Sequence, residues 1–462
     1  MERIVRVLKE ALSSEGKDFT GMPLNKAIVL LAIPMVLEMV MEALFAIVDI
    51  YFVSKVSVEA VDAVGLTEGV ITIVYSAAMG LAMAATAMVA RRIGEKQPDE
   101  AARSAAQGIL LAVVVGIVLG VLGFIFAPDI LRLMGATSSV QAEGALFARI
   151  MFGSNAVIIF LFLFNGIFRG AGDAVIAMRT LWIANGINIL LDPLLIFGWG
   201  PIPAFGVTGA AIATVTGRSI GVAYQVYHLF KSKAGGIHIR ARHFAIDWGI
   251  IRRLGGIGAA GAGQYIIPSI SWIFLMRIIA FSGEDALAGY IIAIRVIIFT
   301  ILPSWGLANA AATLVGQNLG AGYPERAAQS AWRAGFINML FLMFVSIVFF
   351  VFSRQVIGIF HTSPAVIEAG VLSLRIICVG YIFFAYGMVI SQAFNGAGDT
   401  RTPTVVNIFC FWLLEIPLGY LLGINQGLGL AGVCWAVAIS ETVLAIVVIA
   451  IFRKGKWKET VI

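Results

Sequence analysis

The stretch IGEKQPDEAARSA, residues 93–105, returns 226 residues later as LGAGYPERAAQSA, residues 319–331. Gly94 then lies over Gly320, Pro98 over Pro324, Ala101 and Ala102 over Ala327 and Ala328, and Ser104 and Ala105 over Ser330 and Ala331. The same displacement brings Gly170-Ala171-Gly172-Asp173 onto Gly396-Ala397-Gly398-Asp399. Two polar stretches agreeing at one shift point to an internal duplication. What is duplicated follows from the residues between them.

Those residues are mostly apolar. The 462-residue chain is 60% hydrophobic and 13% charged, with a mean hydropathy of +0.96, which excludes a soluble domain of this size. Stretches such as Leu110 to Ala127, Phe152 to Phe168, Phe336 to Phe352 and Ala431 to Phe452 are each able to cross about 30 Å of hydrocarbon as a helix. The dyad alternation of a β-barrel is absent. The expected fold is therefore an all-α membrane protein of twelve transmembrane helices. Its spans begin near residues 27, 64, 104, 144, 175, 204, 254, 286, 328, 366, 403 and 429.

The displacement covers six spans, an even number, so the copies share one orientation and are related by an axis along the membrane normal. Two parallel six-helix lobes around a central cavity follow. Residues 27–230 form the N-terminal lobe and 254–452 the C-terminal lobe, with a basic linker at 231–253 and a tail at 453–462. Residues 1–26 precede them, and Ile4, Val5, Leu8 and Leu12 give that segment an apolar face suited to an interfacial helix. No cleavable signal peptide is read there.

Lysine and arginine collect in the N-terminal segment, after spans 2, 4 (Arg169), 6 (including Lys233) and 8, and in the tail. The loops Trp199 to Ala204, Ser282 to Asp285 and Gly423 to Gly429 carry none. Both termini are expected on the cytoplasmic side of the cell membrane. The net charge of +6 reports that topology and contact with anionic membrane lipids, without a nucleic-acid partner. Cys378, Cys410 and Cys434 lie inside spans, and the four histidines show no ligand spacing, so no disulfide, resident metal or cofactor is expected. In GAGD the glycines suit a tight turn and the aspartate suits a cap on the next helix.

Against this background the carboxylates inside the spans stand out. Glu38, Glu42 and Asp49 share one stripe of span 1, and a lipid-facing stripe of acids is too costly to be credible. In span 5, Asn185, Asn188 and Asp192 share a face, and Asp192 precedes Pro193. Two carboxylates and an amide oxygen brought together are hard ligands for a small cation, Na+. The same pair would hold H+. In the second copy Asp49 falls on Leu275, Asn188 on Leu414, Asp192 on Leu418, Glu38 on Gln264 and Glu42 on Pro268, so an ion site would be confined to the N-terminal lobe. The intramembrane acids have no evident basic partner in that lobe. Pro34, one turn before Glu38, permits a hinge. Arg277, Arg295, Glu415 and Glu441 are the buried charges of the second lobe. Met39, Tyr265 and Met276, with Glu38, Gln264 and Arg295, are candidates to line a substrate cavity.

Twelve helices in two lobes, an acid in VDIYFV of span 1, NxxxDP in span 5 and GAGD after spans 4 and 10 together resemble the multidrug and toxic compound extrusion family. The likeness runs from about Leu24 to Phe452. It implies a secondary antiporter, not an enzyme, in which sodium or protons enter while small organic, often cationic, compounds leave. It implies coupling residues at Asp49, Asn188 and Asp192, with Glu42 and Thr214 beside them, a span 1 proline at Pro34, and a monomer. Gln264 departs from members with an acid in span 7. A flippase for lipid-linked saccharides is the alternative, kept open by Arg277 and Arg295; no Walker A pattern supports an ATP-driven pump.

Overall fold

The computed structural model describes residues 2–14, 17–231 and 237–462. The side chains of Arg3 and Ile4, and Lys233 of the linker, lie outside the described residues. After a short helix, Glu2–Ala11, come span 1 (Leu24–Val53), span 2 (Val58–Gly94), span 3 (Pro98–Leu133), span 4 (Ser138–Gly153 with Asn155–Ala171), span 5 (Ala174–Phe197) and span 6 (Val207–Phe230). The second lobe holds span 7 (Trp248–Ala280), span 8 (Glu284–Gly320), span 9 (Pro324–Gly358), span 10 (Pro364–Val379 with Tyr381–Ala397), span 11 (Arg401–Asn425) and span 12 (Gly429–Arg453). The only β feature among the described residues is an isolated bridge between Trp199 and Ile202.

Several starts differ from expectation. Spans 2, 3, 4 and 7 begin about six residues earlier, because the helices run past the apolar stretch to a capping residue such as Ser57, whose side chain accepts from the Ala60 amide at 2.9 Å. Spans 4 and 10, expected as continuous rods, are bent by 42° and 58° at Ser154 and Gly380, positions one repeat apart. Span 1 runs helically through Pro34 and span 5 through Pro193.

The duplication is exact enough to see in the turns. Gly172 and Gly398 both adopt left-handed backbone, at φ +87 and +89, closing spans 4 and 10 with equivalent hydrogen bonds (Gly172 to Arg169 and Gly398 to Asn395). Asp399 supports the first turn of span 11, its Oδ1 accepting from the Thr402 amide at 3.1 Å. Asp173 instead accepts from the Ser14 hydroxyl at 2.6 Å; burial pushes this carboxyl above the usual carboxylate range against that hydrogen bond. At the other repeated turn Lys96 (φ +58) stands where the second copy has Gly322 (φ +78).

The lobes meet on the half of the molecule that carries both termini, and they meet backbone to backbone. A Cβ on Gly94 would lie 2.1 Å from the Gln317 carbonyl oxygen, and one on Gly320 would lie 2.1 Å from that of Arg91. These two contacts are equivalent under the repeat, since Gln317 lies one displacement from Arg91. Likewise Gly80 of span 2 packs on Gly258 and Ala262 of span 7, while Gly306 of span 8 packs on Met35 and Val36 of span 1. Small residues allow such approach where hydrocarbon gives no hydrophobic drive to associate.

Segments outside the spans bridge the same face. Arg91 and Arg92 donate to the carbonyls of Thr460 at 2.8 Å and Ile462 at 3.0 Å, and Ile462 packs on Gly398 of the other lobe. Arg326 of the second lobe donates to the carbonyls of Phe19 (3.1 Å) and Met22, while Ser14 reaches Asp173 of the first. Asp99 holds the linker through Arg242 at 2.5 Å, and Glu325, its repeat partner, holds Lys458 of the tail at 3.0 Å.

Candidate functional site

The stripe of acids on span 1 faces the interior of the N-terminal lobe, but each acid meets a different partner. Glu38 is fully buried. Its Oε1 accepts from Arg169 Nη2 at 2.5 Å and from Asn165 Nδ2 at 3.0 Å, and Asn165 in turn accepts from Gln225 at 2.6 Å. Glu38 is therefore a structural ion-pair member and not an open cavity residue. Arg169, read as a loop cation, closes the last turn of span 4 with 6% exposure. Burying a charge is tolerable when geometry and further hydrogen bonds complete it, as they do here.

One turn further, Glu42 accepts from Asn185 Nδ2 at 2.9 Å. Two turns beyond that, Asp49 comes to the outer half of the lobe with Asn188 and Asp192 of span 5 and Thr214 of span 6. Asn188 donates to Asp192 Oδ1 at 3.3 Å and to Thr214 Oγ1 at 3.1 Å, so its amide nitrogen is spent and its oxygen is left over. Asp192, Asn188 and Thr214 are buried, and Asp49 acts electrostatically on Asp192.

Three side-chain oxygens in this group are buried without a hydrogen-bond partner: Asp49 Oδ1, Asn188 Oδ1 and Asp192 Oδ2. Buried polar atoms are ordinarily satisfied. Two carboxylates and an amide, each with a free oxygen, form a donor set suited to a small hard cation or a shared proton. Among the described residues no group of three His, Cys, Asp or Glu side chains has the arrangement of a resident metal site.

A basic partner that sequence reading missed sits beside them. Arg218 of span 6 is 5% exposed; its guanidinium lies 5.5 Å from the Phe45 ring centre and 5.6 Å from that of Tyr75. It interacts electrostatically with Glu42 and Asp49. The signal was present, since Arg218 follows Thr214 by four residues and so shares its face. Glu68 of span 2 was also missed. It faces open space, and both Arg218 and, from the other lobe, Arg295 act on it.

The remaining cavity candidates divide. Met39, Arg169, Tyr265, Trp305 and Asn395 line a narrow cleft of about 30 Å³ at the seam between the lobes. Gln264 forms a reciprocal amide pair with Asn395 at 2.9 and 3.0 Å. Met276 is partly buried and packs against the core of the second lobe. Arg277 and Arg295, read as buried charges, are exposed, and neither joins an ion pair among the described residues.

The helices and their twofold arrangement are matched by known proteins. The MatE family model matches residues 34–194 and again 260–421, once per lobe. The chain is 26% identical over 437 residues to the probable multidrug resistance protein NorM of Thermotoga maritima, covering 94% of each. It is 23% identical over 430 residues to the multidrug export protein MepA of Staphylococcus aureus, covering 93% of each. A solved structure described as the outward-facing conformation of a multidrug resistance MATE transporter superposes with a TM-score of 0.90 at 27% identity, over 96% of this chain and 99% of that one. The chain, embedded in the membrane by its apolar helices, belongs to the MATE family of transporters.

Proposed function

We propose that this protein is a secondary antiporter of the cell membrane. It exports small organic compounds, cationic or amphipathic, by alternating access, driven by inward movement of Na+ or H+ through the N-terminal lobe. The observation that carries the reading is the trio of buried, unpartnered oxygens on Asp49, Asn188 and Asp192. A cation or proton satisfies them; without one, two carboxylates face each other in low dielectric. Thr214 holds Asn188 in register, and Glu42 and Arg218 set the charge around Asp49. Both termini face the cytoplasm, in keeping with the basic residues on that side, and the protein works as a monomer. The lobes are closed on that face, as expected of an outward-facing state awaiting ion entry.

Coupling is then linkage: ion and cargo favour opposite arrangements of the lobes, so the downhill ion drives the uphill cargo. In proteoliposomes loaded with ethidium, a sodium gradient and a proton gradient imposed separately identify the driving ion. Asp49→Asn abolishes the driven flux while the protein still elutes as a folded species. Unchanged flux in that variant removes Asp49 from the mechanism and overturns the reading.

A further inference from the structure

Inside the C-terminal lobe, spans 7, 8, 10, 11 and 12 line a second pocket of about 230 Å³ that is open on one side. Its walls are aromatic and thioether. Tyr265 and Trp305 meet edge to face with ring centres 5.3 Å apart, and Phe384, Phe411 and Met388 complete the lining. One acid enters this wall, Glu441 of span 12, and no lysine, arginine or histidine does. Among the described residues Glu441 makes no hydrogen bond and no ion pair. Behind it Glu415 of span 11 is buried and occupied, its Oε2 accepting from Ser271 Oγ at 2.5 Å. Tyr265, Trp305 and Gln392 also line the pocket at the lobe seam, so the two spaces are neighbours.

A carboxylate without a partner, inside hydrocarbon and among rings, is costly until something positive completes it. Ring faces supply the rest of such a site, since their quadrupoles attract a cation. The N-terminal lobe has Val215 at the position of Glu441, so the feature belongs to this lobe alone. We infer that the pocket is a second binding site, taking a hydrophobic monocation such as a flat aromatic amine or quaternary ammonium, its charge against Glu441 and its rings against Tyr265 and Trp305. The inference rests on the transport reading for its cargo class but not on the identity of the coupling ion. It places cargo and ion in different lobes, so that they communicate through lobe movement and not by competing for one carboxylate.

Fluorescence titration of the purified full-length protein with ethidium, at fixed pH and ionic strength, tests it. Glu441→Gln weakens binding tenfold or more. Ser391→Trp, which fills the pocket and leaves the charge in place, does the same and covers the case in which the first variant misfolds. Glu325→Gln, which removes a surface carboxylate, stays within twofold. Wild-type affinity in both pocket variants overturns the inference while leaving Asp49-dependent flux standing. No saturable ethidium binding to the wild type also overturns it, and the flux assay then decides separately whether ion-driven export survives.

Discussion

The same place in the two lobes carries the same contact in different chemistry. In the N-terminal lobe Glu38 and Arg169 form a buried ion pair at 2.5 Å. One repeat on, Gln264 and Asn395 form a neutral amide pair at 2.9 and 3.0 Å. Both join the first span of a lobe to the last turn of its fourth. The geometry has therefore outlived the charge. Toward the outer face the lobes part further: Asp49, Asn188, Asp192 and Arg218 face leucines at the equivalent positions 275, 414, 418 and 444. Duplication preserved the seam, where backbones touch, and released the outer halves, where only one copy needs to meet an ion.

The largest effect is expected where the repeat is strictest. Valine at Gly94 or at Gly320 drives a side chain into a backbone carbonyl 2.1 Å away, in a place with no flexible atom to yield. Either substitution costs about 4 kcal/mol or more, read as loss of folded yield or as new reactivity of an engineered seam cysteine toward a membrane-impermeant thiol reagent. Next comes the buried pair. Glu38→Gln leaves the Arg169 charge uncompensated and lowers stability by about 3–5 kcal/mol, whereas Glu38→Gln with Arg169→Asn copies the second lobe and recovers most of that loss in thermal unfolding. If the double variant is no better than the single one, the two lobes are not equivalent there.

The bridging tail should respond less. Removing Arg91 and Arg92 together as alanines deletes two charge-assisted bonds to the Thr460 and Ile462 carbonyls, worth about 1.5–3 kcal/mol each at most; faster hydrogen exchange over residues 456–462 is the expected sign. A gain is expected at Lys96, which holds left-handed backbone that its partner assigns to Gly322. Lys96→Gly removes that strain and stabilises by up to about 1 kcal/mol, while Gly322→Lys does the reverse. Smallest is Glu325→Ala, an exposed pair with Lys458 that water screens, with no resolvable change expected in thermal unfolding.

Much of this was legible in the residues because it depends on periodicity. Hydropathy located the twelve helices, and one displacement located both lobes and both glycine turns. Helical spacing put Asp49, Asn188 and Asp192 on inward faces. Gly153-Ser154 before Asn155 was a kink signal left unread, whereas the break at Gly380 was not legible, since its flanking residues remain apolar. Nor were the wide turns of span 11, π-helical over Ile408–Glu415 and Leu421–Asn425, which ordinary helix periodicity does not register. Arg169 was misplaced for a different reason. Counting cations by distance from a span end assigns it to water, yet a long side chain in the last turn can point back along its own helix to a buried acid. Arg218, the sole Asp, Glu, Lys or Arg within Val207–Phe230, escaped because its four-residue spacing from Thr214 was not read as a shared face.

The seam between the lobes has one more property. Interfaces made of interleaved side chains separate only after those chains change rotamer, and each such change is a step to be climbed. At Gly80, Gly94, Gly306 and Gly320 no side chain interlocks, and what is lost on parting is a sum of weak dispersion contacts that fade smoothly with distance. Between these smooth contacts the surfaces are pinned by two buried hydrogen bonds, from Thr313 to the Arg169 carbonyl at 3.2 Å and from Gln317 to the Gly170 carbonyl at 3.0 Å, so the kinetic resistance to switching on this face resides in those bonds and in the straps across it.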